Sequence, residues 1–468
     1  MIEQSPALAQ SRRPPPAPAA AWLSETRALL VLAGPLVVTN LAQQAIMVTD
    51  VVMLGRLSTE ALAAAALGNV VYFFAWLLGM GPAHAVAPMV AQVLGARPEA
   101  RAAVRRITRM ALWGVLLTSA PLVAMMLATS PILTALGQDP RLAEDAGRYI
   151  AVVAVGLPFT LLFQVLRNFT TAVGRPNAGL WVMLAAIVWN AVFNYALIWG
   201  HFGFPALGIV GAGLATASSS VFSCVALLAL CYGLPGLRRY RILRRWRRPD
   251  WPAFRELFRL GVPIGLTLIF EAMLFNMATL LVGTFGAVQV AAHQVALSFA
   301  SVTFMVPLGV AMAATVRVGL HAGAGDLRAA RRAGLTAMAA GIALTGVSAY
   351  VMAAHGEAVA RLYLSGDDAG TAEVIALAVV FLKVAAAFQL FDAQQVVAAL
   401  ALRGLKDARM PMLIAAGSYW LAGAPVGLLL GLALGLQGLG VWIGLAFSLA
   451  VAAVLMTWRF DRLTRASR

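Results

Sequence analysis

The sequence predicts an all-α polytopic membrane protein with twelve transmembrane helices in two six-helix lobes, related by a pseudo-two-fold axis along the membrane normal. Of its 468 residues, 61% are hydrophobic and 12% are charged, and the mean hydropathy is +0.84. A soluble chain is nearer half apolar and one quarter charged, so this composition excludes the soluble classes. Long uncharged stretches and an internal repeat supply the helix count and the two lobes.

The amino-terminal half contains six stretches that are long enough to span a bilayer. A spanning helix needs about 20 mainly apolar residues. The first four stretches are 28–49, whose helix is expected to end near Gly55, and then 61–94, 110–137 and 149–172. The uncharged segment 176–237 is long enough for two more helices, with a turn at 200–203.

The same pattern restarts after an arginine-rich segment. Four further stretches cover 260–286, 287–316, 333–354 and 372–402, and the uncharged segment 410–458 divides near 435–438 into two. The predicted organisation has five parts. They are a disordered cytoplasmic tail (1–27), an amino-terminal lobe (28–237), a basic cytoplasmic linker (238–259), a carboxy-terminal lobe (260–458) and a basic cytoplasmic tail (459–468).

Charge in the loops sets the expected orientation. The formal net charge is +16, and the linker 238–259 alone holds nine arginines. In a soluble protein this excess would suggest nucleic acid, but in a membrane protein basic loops are retained at the cytoplasmic face. We therefore expect no nucleic-acid partner. We expect a multi-pass protein of the bacterial inner membrane with both termini in the cytoplasm.

The two halves align when the sequence is shifted by 228 residues. The most informative matches are prolines and glycines, because both residues punctuate helices. Three pairs are Pro35 with Pro263, Gly81 with Gly309, and Gly95 with Gly323. Repeats with the same orientation occur in secondary transporters that hold substrate between their halves, which predicts transport.

Three carboxylates fall inside predicted spans: Asp50 in the first helix, Glu271 in the seventh and Asp392 in the tenth. A charge at the bilayer centre costs about 2.5–3.5 kcal/mol on insertion scales, so such residues face a cavity, pair or bind a cation. We predict that these three couple transport to a cation. Glu271 and Asp392 can carry protons or hold Na⁺, and for Asp50 a structural hydrogen bond or a polar helix end stays open.

Other side chains are candidates for lining the cavity. Asn190 and Asn194 share one helix face and either line the cavity or bridge helices. Met273 can contact a drug or pack in the core, and Arg167 is expected to extend towards the interface. The remaining candidates lie near the two carboxy-terminal carboxylates: Phe275, Asn276, Phe388, Gln389, Gln394 and Gln395.

Several of these segments resemble the multidrug and toxic compound extrusion (MATE) family, in its NorM-like branch. They are the stretches DVVMLG at 50–55, GVPI at 261–264, FQLFDAQQ at 388–395 and LRGLKD at 402–407. The likeness covers roughly 30–458. It implies a twelve-helix, two-lobe antiporter without a cofactor that expels organic cations in exchange for Na⁺ or H⁺.

The resemblance also assigns residues. Glu271 and Asp392 match the acids of the family's cation site, and Asp50 matches a functional acid of the amino-terminal lobe. Some members carry a tyrosine at the position of Phe388, where its oxygen helps to hold Na⁺. Phenylalanine has no such oxygen, so the coupling ion stays open between Na⁺ and H⁺.

The predicted function is multidrug efflux by alternating access, performed by a monomer in contact with membrane lipids. One alternative is a flippase for lipid-linked precursors of the same superfamily, which would need basic residues in its cavity. Another is a membrane-embedded enzyme. The sequence has no G-x-x-x-x-G-K-[ST] and no H-E-x-x-H pattern, which counts against an ATPase and a metalloprotease, and we expect no enzyme.

Overall fold

The computed structural model describes residues 18–364, 366 and 368–465. Within them every regular element is helical, and twelve helices are long and apolar enough to cross a membrane. We number these α1 to α12. They are α1 (Pro18–Leu57), α2 (Thr59–Ala96), α3 (Arg101–Leu127), α4 (Pro140–Ala172), α5 (Asn177–Trp199), α6 (Gly208–Gly233), α7 (Trp251–Gly283), α8 (Ala287–Gly323), α9 (Leu327–Ala354), α10 (Ala369–Gly404), α11 (Arg409–Ala433) and α12 (Gln437–Arg465).

Several helices continue past the apolar stretches from which they were predicted. The predicted tail 1–27 is helical from Pro18 onward, while residues 1–17 lie outside the described part of the chain. Helix α7 begins inside the predicted linker, where Asp250 caps it by accepting a hydrogen bond from the Ala253 amide at 3.2 Å. Helix α12 runs on to Arg465. Hydropathy marks the hydrocarbon layer, whereas capping and backbone hydrogen bonds decide where a helix ends.

Each lobe uses the same helix pairings. In the amino-terminal lobe α2 packs on α3 and α4, α4 packs on α6, and α1 packs on α5. In the carboxy-terminal lobe α8 packs on α9 and α10, α10 packs on α12, and α7 packs on α11. Between the lobes, α2 packs on α7 and α8 packs on α1. These two contacts are related by the internal repeat, because α2 corresponds to α8 and α1 corresponds to α7. The two-lobe, pseudo-symmetric fold predicted from the sequence is therefore present.

Repeat-related glycines lie where the lobes approach most closely. A methyl group at Gly95 would overlap the carbonyl oxygen of Leu320 in α8, and one at Gly323 would overlap that of Gln92 in α2. Small residues at helix crossings in membranes let backbones approach this closely. Helices α2 and α8 thus meet backbone to backbone at their ends nearest the arginine-rich loops.

Burial along α2 and α8 shows which end of the molecule is closed. Residues 77–91 and 307–319 are mostly buried, whereas many residues in 59–76 and 297–306 are partly exposed. Both buried halves adjoin the basic loops. The lobes therefore meet at the basic end and separate towards the opposite end.

We expect Gly95→Ala to lower the free energy of unfolding by about 1–3 kcal/mol, because its methyl group overlaps the backbone of α8. The matched change is Gly346→Ala in α9, where nothing lies within 4 Å of the added carbon. That control should be neutral or should stabilise by up to about 1 kcal/mol through helix propensity. Thermal unfolding of the purified protein measures both, and equal melting temperatures would contradict the close contact.

Candidate cation-coupling sites

Asp50 lies inside the amino-terminal lobe with donors on both carboxylate oxygens. Its Oδ1 accepts hydrogen bonds from Asn194 Nδ2 at 2.7 Å and Asn190 Nδ2 at 3.1 Å. Its Oδ2 accepts one from the Thr216 hydroxyl at 3.1 Å. The three donors are neutral and come from α5 and α6, so Asp50 of α1 ties three helices together.

The pair Asn190 and Asn194 is fully buried and bridges helices through Asp50. The four-residue spacing puts both side chains on one face of α5, and Asn194 Nδ2 also donates to Asn190 Oδ1 at 3.1 Å. Among the described residues, Asn194 Oδ1 is a buried acceptor without a donor. The pair therefore combines a structural bridge with one unused oxygen.

Glu271 and Asp392 come together in the carboxy-terminal lobe. Asp392 is only 5% exposed, and Glu271, on the facing helix α7, is partly exposed. The two carboxylates lie close enough to interact electrostatically. Asp392 Oδ1 finds no hydrogen-bond partner in the part of the chain that the structure describes. Two neighbouring acids, one of them with a carboxylate oxygen that accepts no hydrogen bond, favour binding of a cation or a proton.

Two further residues at this site were missed by the sequence reasoning. Tyr419 is fully buried and interacts electrostatically with Glu271 and Asp392; its hydroxyl lies beside the Gln395 side chain but makes no well-aligned hydrogen bond with a described residue. It lies in Gly417–Gly423, a π-helical segment of α11. Such segments are frequent at functional sites, but no composition signal reveals them.

The other missed residue is Arg403. It lies just past the tenth predicted span, 372–402, but it is buried in the last turn of α10 and interacts electrostatically with Glu271. It follows Asp392 by eleven residues, close to three helical turns, so both residues share one face of α10. That spacing was the one feature of the sequence that could have placed Arg403 near the acids.

The predicted neighbours of the two acids have different environments. Gln389 braces three helices: it accepts from the Ser348 hydroxyl at 2.9 Å and donates to the Ala300 carbonyl at 3.0 Å and to the Thr303 hydroxyl. Asn276 is exposed and donates to the carbonyl of Ala272 in its own helix at 2.7 Å. These two amides are therefore engaged away from the carboxylates.

The two remaining glutamines keep unused oxygens. Gln394 donates to the Thr457 hydroxyl of α12 at 2.9 Å, and Gln395 is buried one helical turn after Asp392. Within the described ranges neither Oε1 atom accepts a well-aligned hydrogen bond, and the Gln395 side chain lies beside Tyr419. Gln395 therefore adds an oxygen acceptor on the Asp392 side of α10.

The aromatic candidates form a packed cluster. Phe388 is 2% exposed and makes edge contacts with Phe275 at 6.0 Å and Trp442 at 5.5 Å between ring centroids. His293 packs against Trp442 and lies 3.0 Å from the Thr279 hydroxyl. Phe388 therefore belongs to the core of the carboxy-terminal lobe, while Met273 is exposed on α7.

Arg167 does not extend to the interface as expected from the sequence. It is 3% exposed, and its Nη2 donates to Asn40 Oδ1 at 2.5 Å and lies 3.9 Å from Met312 Sδ in the other lobe. Its Nε has no partner among the described residues. The side chain is enclosed because the lobes close over this end, so the guanidinium contacts neutral groups and its Nε is left without a described acceptor.

Both lobes line a small polar cavity of 20 Å³ at the closed end, with Arg403 and His84 in its wall. A space of this size holds about one water molecule. The closed end therefore leaves no passage for a drug-sized molecule. Its other lining residues include Asn168, Thr171, Met312 and Thr315.

Comparison with known proteins agrees with this architecture. The MatE family model matches residues 35–196 and again 263–429, so its two matches begin 228 residues apart, as the internal repeat does. The chain belongs to the MatE family. This confirms the resemblance found in the sequence, and the protein is a multi-pass bacterial membrane protein.

Individual relatives cover nearly the whole chain. A Mesorhizobium japonicum protein described as a probable multidrug resistance protein NorM is 43% identical, over 96% of each chain. A solved MATE family multidrug resistance transporter in an outward-facing conformation has a TM-score of 0.85 at 19% identity, covering 94% of this chain and 96% of its own. The eukaryotic MATE transporter AtDTX14 has a TM-score of 0.81 at 23% identity, covering 96% and 99%. These structures share the fold.

Two single-hydroxyl deletions should differ in their effect on stability. Thr216→Val removes a donor to the partly buried Asp50 carboxylate and should cost about 1.5–3 kcal/mol, the range for hydrogen bonds to charged groups. Tyr419→Phe removes a hydroxyl that makes no well-aligned hydrogen bond with a described residue and should change stability by less than about 0.5 kcal/mol, or raise it. Chemical denaturation of the purified variants compares them. A larger loss for Tyr419→Phe would contradict the geometry of both sites.

Proposed function

We propose that the protein exports organic cations in exchange for Na⁺ or H⁺ by alternating access, in the inner membrane and with both termini in the cytoplasm. The observation that carries the proposal is the pairing of Glu271 with Asp392, whose buried Oδ1 lacks a described donor. An unpaired buried charge is costly, and binding a cation or proton removes that cost. Release of the ion would then bias the lobes towards the other state.

The relatives support multidrug substrates. The chain and its M. japonicum relative cover each other almost completely, and that relative is described as a probable multidrug resistance protein. These relatives are transporters, so the protein is assigned as a transporter and not as an enzyme. They do not favour the lipid-precursor flippase. The buried arginines near the lobe contact, Arg167 and Arg403, lie at the closed end, and Arg403 interacts with Glu271.

The oxygen atoms around Glu271 and Asp392 suit a hard cation as well as a proton. Na⁺ prefers oxygen ligands, as other hard cations do. Besides the two carboxylates, the oxygens of Tyr419 and Gln395 lie next to each other at the site, and neither makes a well-aligned hydrogen bond with a described residue. Tyr419 brings to the site a phenolic oxygen that Phe388 cannot provide. Sodium therefore stays a candidate beside the proton.

An ion pair across the lobes holds the basic end closed. Arg317 of α8 donates from Nε and Nη2 to the two carboxylate oxygens of Glu25 in α1, at 2.8 and 2.5 Å. His321, one turn later, has its Nε2 3.3 Å from Glu25 Oε2. Such bidentate pairs are among the stronger ones in proteins. With the basic loops in the cytoplasm, this state opens outward, and the inward-facing state requires the pair to break.

Ethidium efflux from cells that lack their own pumps tests the function. With an imposed Na⁺ gradient and then an imposed pH gradient, the wild type should expel ethidium under at least one. Glu271→Gln and Asp392→Asn should each lower the rate at least about tenfold, since each removes a charge from the ion site. The control Glu357→Gln neutralises an exposed, helix-local ion pair and should transport normally. No efflux under either gradient would contradict organic-cation export.

Glu25→Gln should favour opening at the basic end, because it removes the charge that pairs with Arg317. The reporter is Ala91→Cys, a buried position on α2 facing Gly319, in a background with Cys224 and Cys231 replaced by serine. Labelling by a small maleimide should accelerate about tenfold, as expected for loss of a charge-assisted pair. Glu60→Gln at the opposite end of α2 is the control. Equal rates in all three proteins would exclude the ion pair as a gate.

A further inference from the structure

The segment 238–250 between α6 and α7, here called the arginine linker, is the most strongly charged surface of the described chain. It contains seven arginines within eleven positions, and every one is exposed. Arg105 of α3 lies close enough to interact electrostatically with three of them. The seven residues are Arg238, Arg239, Arg241, Arg244, Arg245, Arg247 and Arg248.

The arginine linker is folded against the amino-terminal lobe by its apolar side chains. Tyr240 and Ile242 are buried, and the Tyr240 ring meets the edge of Phe169 of α4 at 5.4 Å. Trp246 packs on Trp113 of α3 at 5.9 Å. The apolar residues alternate with the arginines. When the apolar side chains pack against the lobe, the arginine side chains are therefore left on the surface.

Its backbone is also held in place. The Arg109 guanidinium of α3, itself buried, donates to the carbonyls of Arg245 at 2.9 Å and Arg244 at 3.5 Å. The Leu243 amide donates to the Tyr232 hydroxyl at 3.0 Å. The seven arginines therefore extend from a backbone that is packed in place, unlike those of a polybasic tail.

Two of the arginines adopt a backbone conformation that usually favours glycine. Arg241 has a φ of 45° and Arg245 a φ of 61°. A left-handed conformation at a long side chain is uncommon and costs conformational energy. Both positions carry arginine where glycine would relieve that strain.

The linker also lacks the acids that balance the other lobe. Within the described residues its neighbourhood has one ion pair, Arg106 with Asp250 at 3.6 Å. At the same end of the carboxy-terminal lobe the basic residues are matched by carboxylates: Arg331 with Asp461 at 2.6 Å, Arg459 with Asp407 at 3.0 Å, and Lys406 with Glu256 at 2.7 Å. The preference for basic loops at the cytoplasmic face explains why both lobes are positively charged at this end. It does not explain why carboxylates pair with the basic residues of one lobe and leave most arginines of the linker unbalanced.

We propose that the arginine linker binds the headgroups of anionic phospholipids. Guanidinium forks match phosphodiester oxygens with paired hydrogen bonds, and phosphates would balance the clustered charge. The linker joins two membrane-spanning helices, which keeps it at the headgroup level. Trp251, the first residue of α7, is 60% exposed beside it, and exposed tryptophans are enriched at this interface. The proposal needs only a membrane-spanning chain and is independent of the transported substrate.

Calorimetric titration of the purified full-length protein in neutral detergent tests the proposal. The titrants are dioctanoyl phosphatidylglycerol, dioctanoyl phosphatidylcholine with the same tails, and inorganic phosphate. We expect phosphatidylglycerol to bind in a salt-sensitive manner and the other two to bind much more weakly. The triple variant Arg244→Gln, Arg247→Gln and Arg248→Gln should weaken phosphatidylglycerol binding at least about tenfold.

The matched control removes three exposed arginines from the same end of the other lobe: Arg328→Gln, Arg409→Gln and Arg462→Gln. It should keep the affinity for phosphatidylglycerol within about twofold, since diffuse charge is screened by salt. Equal weakening by both triple variants, or by neither, overturns the site. So does phosphate binding as tight as that of phosphatidylglycerol, which would indicate a site for free anions. Thermal unfolding of both variants verifies that they are folded.

Discussion

Where α2 passes α8, carbonyl oxygens of Leu320 and Gln92 occupy the space that a side chain at Gly95 or Gly323 would need. Contact at this range fixes the two lobes against each other at the basic end, and polar groups nearby must be satisfied without bulk water. Arg167 is one consequence, since its guanidinium is enclosed and bonds to Asn40. The Glu25–Arg317 pair is another, because closure brings α1 and α8 together.

The frame is symmetric, but the charges placed on it are not. The 228-residue shift superposes the helix pairings of the two lobes, yet it matches Glu271 with Gln43 and Asp50 with Ala278. Each lobe therefore carries its acid at a position where the other lobe is neutral. The same holds at the basic end, where carboxylates balance the arginines of the carboxy-terminal lobe and the arginine linker has few. Duplication accounts for the fold, and departures from it mark the candidate sites.

The sequence contained the helix count and the two lobes because both depend on features of single segments. Uncharged length reports the hydrocarbon layer, and the spacing of Pro35 and Pro263 reports the repeat. The environment of a side chain depends instead on which helix lies opposite. Asn276 has a polar type suited to a site yet is exposed on α7, while Tyr419 lies beside the acids, buried within a π-helical segment of α11. Tertiary contacts of this kind leave no periodic trace in the chain.

The two acidic sites differ in how the protein satisfies them, which separates their roles. Asp50 accepts three hydrogen bonds from neutral donors, so its carboxylate is stabilised by the lobe itself. Asp392 is more deeply buried than Asp50, has a neighbouring acid, and lacks a described donor at Oδ1. Charge that the protein leaves unsatisfied in an apolar setting is what an entering cation can stabilise. The coupling ion is therefore expected at Glu271 and Asp392, with Asp50 organising the helices of the opposite lobe.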